Sequence, residues 1–458
     1  RLNKISDKFF LGVFMQNVKK TSVDGMFYPK TKEEIIELLD SFKKNLKPQK
    51  AFSRALIVPH AGYIFSGELA LFGLSHLDYD VENIFIFAPA HRCFVQEAVI
   101  SSYDAFCAPF GEIEQNKDIL NELNKNFNIE YNNDAFDNEH AIEVELPILQ
   151  YLKKDKPFKI IPLLVGLEGI EKIKEIISYY YPDKKNAFII SSDLSHFHTL
   201  EDAKKIDETT ALMIEENNIK SFHHQRACNA GGIFALMKFA KENNYSLIRL
   251  SLSDSSKGNG DKKRVVGYGS WMLVESVKND FIKKYYSDFI LDVCRKVIIN
   301  KGKYFPKNYD AVFDEKGACF VTLEIEGFLR GCIGSIIAWE PLIDNLVKNA
   351  YNAAYKDSRF MPLDENEINK IDIKVSLLSH LEKIEFENEE DLLNKIVPFK
   401  DGIVIKDGVY QGVYLPSVWE ELSDKKIFLN SLKKKAGLAE NHFSNTFEAY
   451  RFEVSYIQ

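Results

Sequence analysis

Largely apolar runs that lead to a histidine recur in the first half of the chain. Each run is short and has the length of a buried strand rather than that of a helix. The runs and the histidines that follow them are Ala55–Val58 with His60, Asn83–Pro89 with His91, and Ala187–Ser191 with His196. In open α/β sheets the ligand site lies at the carboxyl ends of the strands. We therefore predict that these three histidines meet at one edge of a sheet.

Helical patterns alternate with these strands. A capping box at Thr31–Glu34 opens an amphipathic helix, and Thr199–Asp202 opens another in the same way. The runs Lys159–Val165 and Arg264–Val274 are predicted to be further strands. Strands that alternate with helices indicate an α/β fold with a mostly parallel sheet flanked by helices.

The pattern changes near residues 276–282, where the apolar periodicity is interrupted. Beyond this point Ala318–Ile325 and Phe328–Gly334 flank a Glu326-Gly327 turn, as in a β-hairpin. A second hairpin is predicted over 402–416, and helices over about 281–300, 341–355 and 424–436. We therefore predict two domains, an α/β domain over 1–276 and an α+β domain with antiparallel strands over 280–458.

Composition excludes several classes of protein. The 458 residues are too many for one ordinary core, and the 45% hydrophobic and 28% charged fractions are those of globular proteins. The net charge of -8 argues against general binding to nucleic acid, which requires a basic footprint. No apolar run reaches the roughly 20 residues that cross a bilayer. The short run Phe9–Met15 lacks the cleavage pattern of a signal peptide.

The cysteines are scattered and none forms a CxxC pair, so neither a zinc ribbon nor a disulfide framework is predicted. A reducing cytoplasm is the expected compartment, with no membrane and no nucleic acid as partner. The cysteines are Cys93, Cys107, Cys228, Cys294, Cys319 and Cys332.

Four histidines are candidates for a metal site or for acid/base chemistry. His60, His91 and His196 end strands, and His140 opens a predicted helix after a polar stretch. Imidazole binds iron, zinc or copper through one ring nitrogen, and a first-row metal needs two such ligands and a third group. A single histidine at a strand end is more often an ordinary polar residue, but three in one sheet favour a joint site.

Other polar residues near these histidines have alternative interpretations. Asp193 either orients an imidazole or caps the next turn, and the pattern favours neither. Glu143 and Glu145 are interpreted as a solvent-exposed helix face rather than as acid/base groups. Cys228 is predicted to be a buried structural thiol, and His223-His224 to lie at the surface.

The second domain contains one candidate nucleophile. In Leu329-Arg-Gly-Cys-Ile-Gly334, two glycines within a predicted strand indicate a bulge or a close backbone approach. Arg330 beside Cys332 could lower the pKa of the thiol and make it nucleophilic. A structural thiol of ordinary reactivity is the favoured interpretation.

With these motifs in view, residues 21–275 resemble the Memo family. The matching pieces follow the family's order along the chain. They are Gly25-Met-Phe-Tyr-Pro29, Pro59-His-Ala-Gly-Tyr63, Ser66-Gly67, Pro89-Ala-His91, Glu139-His140 with Glu143 and Leu146-Pro147, Ser191-Ser-Asp193 with His196, and Arg264-Val-Val-Gly-Tyr268.

Residues 280–458 resemble the AMMECR domain family. The two modules occur in the prokaryotic AmmeMemoRadiSam system together with a radical SAM protein, so the resemblance implies a fusion of both modules with such a partner. The matching motifs are Leu329-Arg-Gly-Cys-Ile-Gly334, Asp357-Ser-Arg-Phe360, Tyr414-Leu-Pro-Ser-Val-Trp419, Phe428-Leu and Lys435-Ala-Gly-Leu438.

The Memo resemblance implies a fold similar to the class III extradiol dioxygenases, which bind Fe(II) through two histidines and a carboxylate. His60 and His91 fall on the two histidine positions. The third ligand, a cysteine in animal members, maps to Ser251–Asp261, where Asp254 is the nearest carboxylate. Fe(II) is the first expectation, with Cu or Zn as alternatives. His140, His196 and Asp193 would line the pocket, the histidines as acid/base groups or further ligands.

Two hypotheses about function follow. The first is a metal-dependent redox enzyme, such as a dioxygenase, that acts on a small molecule or a peptide. The second is a non-catalytic scaffold that binds a peptide or a partner for a radical SAM enzyme. The sequence leaves open whether the chain is an enzyme.

Overall fold

The computed structural model describes residues 17–154, 156–219 and 224–458. It divides the chain into two compact units, of which the first ends at Leu273 and the second begins at Val274. The predicted change of pattern at 276–282 lies just beyond this division. Two sequence predictions, those for Phe9–Met15 and His223, lie outside the described residues.

The first unit combines strands with helices along its whole length. Its strands are β1 (Val18–Lys19), β2 (Ala55–Val58), β3 (Asn83–Pro89), β4 (Ala98–Ile100), β5 (Ala105–Phe106), β6 (Ile113–Glu114), β7 (Glu130–Tyr131), β8 (Lys159–Val165), β9 (Asn186–Ser191), β10 (His196–His198), β11 (Ser246–Asp254) and β12 (Val265–Val274). Its helices are α1 (Lys32–Lys43), α2 (Glu68–Leu74), α3 (Lys117–Phe127), α4 (Asn133–Phe136), α5 (Leu146–Lys153), α6 (Ile170–Tyr180), α7 (Leu200–Glu215), α8 (Ala230–Glu242) and α9 (Ser256–Asn259).

Most of the strands of the first unit form one mixed sheet. Its order is β10-β12-β2-β9-β3-β8-β4-β7, and β11 pairs with β12. The central strands β2, β9, β3 and β8 are parallel, whereas β12 and β4 join them in antiparallel orientation. The α/β class is thus confirmed, with a parallel centre and antiparallel margins.

Burial explains why the central strands are apolar without alternation. Every residue of β2 and of β9 is buried, as expected for parallel strands covered on both faces. The capping box predicted at Thr31–Glu34 is present at the start of α1. The helix predicted to open at His140 begins later, with a 3₁₀ turn at Glu143–Glu145 that leads into α5. His140 therefore lies in the preceding loop.

The second unit contains antiparallel sheets. Its strands are β13 (Ala318–Ile325), β14 (Phe328–Gly334), β15 (Asp372–Leu378), β16 (Glu382–Ile384), β17 (Gly402–Asp407), β18 (Tyr410–Tyr414), β19 (Glu448–Phe452) and β20 (Val454–Ile457). They form two sheets, β14-β13-β15-β20 and β16-β19-β17-β18. Its helices are α10 (Lys278–Ile299), α11 (Leu342–Tyr355), α12 (Glu365–Ile368), α13 (Glu389–Lys395) and α14 (Lys425–Lys435).

Turn chemistry explains the first hairpin of this unit. Glu326 and Gly327 both have positive φ, 53° and 81°, as a two-residue turn of the primed type requires. β13 and β14 pair antiparallel on either side of it, so the predicted hairpin is confirmed. The second predicted hairpin corresponds to β17 and β18. Of the helices described in the chain, none is both long and apolar enough to cross a membrane.

Candidate metal centre

Three parallel strands that are neighbours in the sheet are each followed by a candidate site residue, two positions after the strand ends. His60 lies two residues beyond β2, His91 two beyond β3, and Asp193 two beyond β9. β9 lies between the other two strands in the sheet. All three residues therefore lie at the carboxyl edge of the sheet, where open α/β sheets bind their ligands.

A third histidine, His140, completes a compact cluster at this edge. One possible ligand atom from each of His60, His91 and His140 lies within 4.8 Å of those of the other two. The ring centroids are 5.2 Å apart for His60 and His91, 5.7 Å for His60 and His140, and 4.9 Å for His91 and His140. We call these three residues the histidine cluster.

His60 is almost fully buried, with 2% of its surface exposed. Its Nδ1 lies 2.9 Å from Ser191 Oγ, and that hydroxyl lies 2.7 Å from the Ala141 carbonyl oxygen. A hydroxyl has one proton. If Ser191 donates it to Ala141, Ser191 accepts from the Nδ1–H of His60. Nε2 of His60 then carries the lone pair, and the Sγ of Cys228 lies 3.3 Å from it.

Glu139 orients His91. It accepts hydrogen bonds from His91 Nδ1 at 3.0 Å and from the backbone N–H groups of His91, His140 and Ala141 at 2.7, 2.8 and 3.0 Å. Burial would raise the pKa of Glu139, but these hydrogen bonds outweigh it and lower the pKa to about 2. A carboxylate that fixes Nδ1–H leaves Nε2 of the ring free, as in histidines that bind metals.

His140 carries an unpaired ring nitrogen. Its Nδ1 is buried and has no hydrogen-bond partner among the described residues, although Glu139 Oε1 lies 3.4 Å away. The edge of the Phe27 ring packs on the imidazole, with centroids 4.8 Å apart. Buried polar atoms without a partner are rare and call for an explanation such as an absent ion.

Burial disfavours the charged form of two of these rings. It lowers the pKa of His60 and of His140, and the neighbouring imidazole of His91 lowers both further. A neutral imidazole is the form that binds a metal. Three converging imidazoles, two of them oriented by Ser191 and Glu139, therefore fit a first-row transition metal.

Comparison with known proteins identifies the family of the first domain. A family model described as Memo-like protein matches residues 19–272. A MEMO1 family protein of Thermoplasma acidophilum is 31% identical over 271 residues, which cover 56% of this chain and 98% of that protein. The chain belongs to the Memo family. The Memo domain is joined to a second domain, because a family model described as AMMECR1 matches residues 291–457.

Two further relatives and one solved structure are also similar to this chain. A MEMO1 family protein of Methanobrevibacter smithii is 30% identical over 283 residues, which cover 55% of this chain and 98% of that protein. The memo-1 homolog of Caenorhabditis elegans is 30% identical over 196 residues, with 42% of this chain and 56% of that protein covered. The crystal structure of an uncharacterized protein from Pyrococcus horikoshii matches at 31% identity and a TM-score of 0.35, over 37% of this chain and 89% of that one.

The structure places the remaining predicted residues of the Memo domain around the cluster or away from it. Asp254 is not part of the cluster; its carboxylate accepts the Ser256 N–H at 3.0 Å, at the start of α9. Asp193 accepts the backbone N–H of His60 at 3.0 Å, so it fixes the turn after β2 rather than an imidazole ring. The prediction that His196 ends a strand and joins the cluster is wrong: His196 begins β10, is not one of the three clustered histidines, and donates Nδ1–H to the Leu194 carbonyl at 2.8 Å.

The interpretation of Glu143 and Glu145 as a solvent-exposed face is wrong, because both are buried. Glu143 accepts from Ser22 N–H and Val23 N–H at 2.7 and 3.0 Å and from the Tyr28 hydroxyl at 2.7 Å. It thereby ties the segment that carries Phe27 to the loop that carries His140. Glu143 and Glu145 lie in a 3₁₀ turn, where side chains do not follow the periodicity of an α-helix. Helical periodicity therefore assigned both residues to the solvent side incorrectly.

The sequence analysis named two further residues, Glu139 and Cys228, but did not predict their contacts with the histidines. Glu139 orients the imidazole of His91. The only sign of this role in the sequence is that Glu139 is next to another histidine, His140. Cys228 lies with its Sγ 3.3 Å from His60 Nε2 and accepts the Asp193 N–H at 3.0 Å. Burial raises the pKa of this thiol. Because Cys228 contacts His60, a candidate metal ligand, it is part of the site and not only a packing residue.

The predicted neighbours of Cys332 in the AMMECR1 domain differ from those in the structure. Arg330 forms a two-point ion pair with Glu367, at 2.7 and 2.8 Å. The backbone of Cys332 is instead held by Asp357 and Arg359, which bond its N–H and carbonyl at 2.8 and 3.0 Å. The closeness of Arg330 to Cys332 in sequence, with only Gly331 between them, was misleading, because Asp357 and Arg359 come from a later segment.

Proposed function

We propose that the Memo domain binds one first-row transition metal through His60, His91 and His140. The single observation that carries this proposal is the convergence of the three imidazoles, with ligand atoms within 4.8 Å of one another. Fe(II) is the first candidate, and Cu or Zn the alternatives, because imidazole suits all three. This ligand set replaces the expected carboxylate Asp254 with His140.

We further propose that the site is that of a redox enzyme with a dioxygenase-like pocket. A bound iron or copper ion would supply a Lewis acid and one-electron redox chemistry. The carboxylates beside the cluster, Glu139 and Asp193, are engaged by backbone N–H groups. The ligands would then be three imidazole rings, and the Glu139 carboxylate, which accepts from His91 Nδ1 at 3.0 Å, would offset part of the charge of the ion.

His196 is the candidate for proton transfer in this scheme. Its Nδ1–H is fixed by the Leu194 carbonyl, so Nε2 is the atom that can accept a proton. Burial lowers the pKa of His196, and the nearby imidazole of His91 lowers it further. The ring is therefore neutral at physiological pH and able to act as a general base.

Removal of individual histidines tests the metal proposal. Protein purified without oxygen should retain about one equivalent of Fe, Cu or Zn by elemental analysis. His60→Ala, His91→Ala and His140→Ala should each lose it, whereas His380→Ala, a histidine of the other unit, should retain it. Equal metal content in all four variants would refute the proposal.

A second candidate function is a scaffold for a partner or a peptide, and one observation favours it. Large apolar side chains on the loops that carry or adjoin the histidines are exposed: 69% for Ile64, 86% for Phe94 and 73% for Met26. Exposed apolar residues of this size are typical of interaction surfaces when they are contiguous.

We propose a radical SAM protein as the partner, on the strength of the resemblance of both domains to that system. Pull-down of a radical SAM protein from the same organism separates the two functions. A scaffold should retain the partner after His60→Ala and His91→Ala, with no change in any activity. An enzyme should lose its activity in the same variants.

A further inference from the structure

A second cluster of polar residues lies in the AMMECR1 domain where its two sheets meet, since Phe320 of β13 and Val413 of β18 pack on one apolar cluster. Cys332 is on β14, the edge of one sheet. Lys435, at the end of α14, donates from Nζ to the Val413 carbonyl of β18 at 3.0 Å, and β18 is the edge of the other sheet. Arg359 follows α11. We call Cys332, Arg359 and Lys435 the edge cluster.

The backbone of Cys332 is fixed on both sides. Its N–H donates to Asp357 Oδ2 at 2.8 Å, and its carbonyl accepts from Arg359 Nη2 at 3.0 Å. Gly331 packs so closely on α11 that a Cβ there would lie 2.2 Å from the Ala353 carbonyl oxygen. The thiol contacts the cross-strand Thr322 hydroxyl at 3.2 Å. A half-buried thiol is thus held in one position.

Some N–H groups of the Arg359 guanidinium are not used in hydrogen bonds within the domain. Its Nε and Nη2 bind the Asp357 carboxylate at 2.9 and 2.7 Å, and Nη2 also binds the Cys332 carbonyl. A guanidinium has five N–H donors. The two on Nη1 have no hydrogen-bond partner recorded among the described residues. The side chain is 54% exposed, so a ligand can reach it.

Lys435 supplies an uncompensated charge. Its ammonium lies 4.8 Å from the centroid of the Tyr414 ring, and no carboxylate in the described part of the chain lies within 4 Å of it. Burial lowers the pKa of Lys435, the charge of Arg359 lowers it further, and Cys332 acts in the opposite direction. Because Asp357 neutralises Arg359, the edge cluster with Asp357 carries one net positive charge.

We propose that the edge cluster is a binding site for a monocarboxylate ligand, held by Arg359 Nη1 and Lys435 Nζ with the thiol of Cys332 against it. One net positive charge matches one carboxylate better than a phosphate dianion. Arginine and lysine donors are the usual partners of carboxylates. This site is independent of the histidine cluster and of the function proposed for it.

Alkylation with a charged and a neutral reagent tests the site. Iodoacetate and iodoacetamide react by the same step: the thiolate sulfur attacks the CH₂ carbon, the C–S bond forms, and iodide leaves. The thiol proton passes to the buffer. Both reagents need the thiolate and reach it by the same route. The ratio of their two rates at Cys332 is therefore independent of the thiolate fraction and of the accessibility of the thiol. Only iodoacetate carries the carboxylate, so the ratio reports its recognition.

We expect the iodoacetate to iodoacetamide ratio at Cys332, followed by mass spectrometry of its peptide, to be about tenfold higher than for glutathione, which corresponds to a modest electrostatic attraction. Lys435→Gln should reduce the ratio to that of glutathione, and Lys435→Arg should restore it. Lys434→Gln is the matched control, because Lys434 pairs with Glu440, and it should leave the ratio unchanged.

Either of two results would overturn the proposal. One is a ratio in the wild-type protein equal to that of glutathione, and the other is a high ratio that persists in Lys435→Gln. Inorganic phosphate that protects Cys332 where the same concentration of acetate does not would overturn the choice of a carboxylate.

Discussion

Replacement of Glu139 by glutamine probes how the metal centre is oriented. Glu139 Oε1 accepts from His91 Nδ1, His140 N–H and Ala141 N–H, and Oε2 accepts from His91 N–H. An amide keeps one acceptor oxygen and places an NH₂ group, which cannot accept, at the other position. The least costly orientation keeps the oxygen at the Oε1 site, so the NH₂ group faces the His91 N–H.

The magnitude follows from this arrangement. Loss of one hydrogen bond to a charged group costs about 1.5–3 kcal/mol in the free energy of unfolding. The His91 ring also loses its anionic partner. Replacement of a residue that hydrogen-bonds a metal-binding histidine reduces metal affinity by about 10- to 100-fold, or about 1.4–2.8 kcal/mol in binding free energy. We therefore expect Glu139→Gln to weaken metal binding by at least tenfold.

Competition with a chelator of known affinity, followed by elemental analysis, measures this effect. Glu215→Gln is the matched control: its side chain is only 3% exposed, and it accepts from Arg249 Nε and Trp271 Nε1 at 2.6 and 3.2 Å, neither of which belongs to the histidine cluster. It should lower the free energy of unfolding and leave metal affinity within about twofold. Equal losses of metal affinity in both variants would show that the effect is general destabilisation, and our reasoning would fail.

Three further predictions test separate parts of the structure. Ser191→Ala removes the acceptor for His60 Nδ1–H and should weaken metal binding by roughly tenfold; unchanged affinity in the same chelator competition would contradict the assigned ring orientation. Burial raises the pKa of Asp207 from 3.8 to about 6, so this group favours the folded state below pH 3.8 and loses that contribution as pH rises through 6. Relative to Asp207→Asn, the wild-type free energy of unfolding should fall by about 3 kcal/mol from pH 3.5 to pH 7, and parallel pH profiles from chemical denaturation would exclude this. Trp419 is fully buried and stacks on Phe428 with ring centroids 3.6 Å apart. Trp419→Ala should therefore lower the free energy of unfolding by about 3–5 kcal/mol and reduce the hydrogen-exchange protection of β17 and α14. Unchanged protection of both elements would contradict the place of Trp419 in the core.

The sequence predicted the positions of His60 and His91 because the features that place them are local. An apolar run with the length of a strand and a following turn put each histidine at a strand end. Which strands are neighbours is a property of the sheet, and the insertion of β9 between β2 and β3 could not be read from either run. The proximity of Asp193 to His60 depends on that order.

The third member of the cluster was harder to predict. His140 lies in a loop, and its approach to the strand ends depends on buried contacts of Glu143 with residues 22–28, more than a hundred positions earlier. Helical periodicity assigned Glu143 to solvent, since a 3₁₀ turn does not follow that period. In the second unit, the Glu326-Gly327 turn determined its hairpin locally, whereas the contact of Arg359 with Cys332 joins separate segments.

The most direct test of the account is anomalous diffraction from crystals of the full chain loaded with metal in the absence of oxygen. Data at the iron, copper and zinc absorption edges should show one peak in the Memo domain, at about 2.0–2.2 Å from one nitrogen of each of His60, His91 and His140. The absence of a peak between these rings, or a metal bound by Asp254 with His140 turned away, would contradict the central claim.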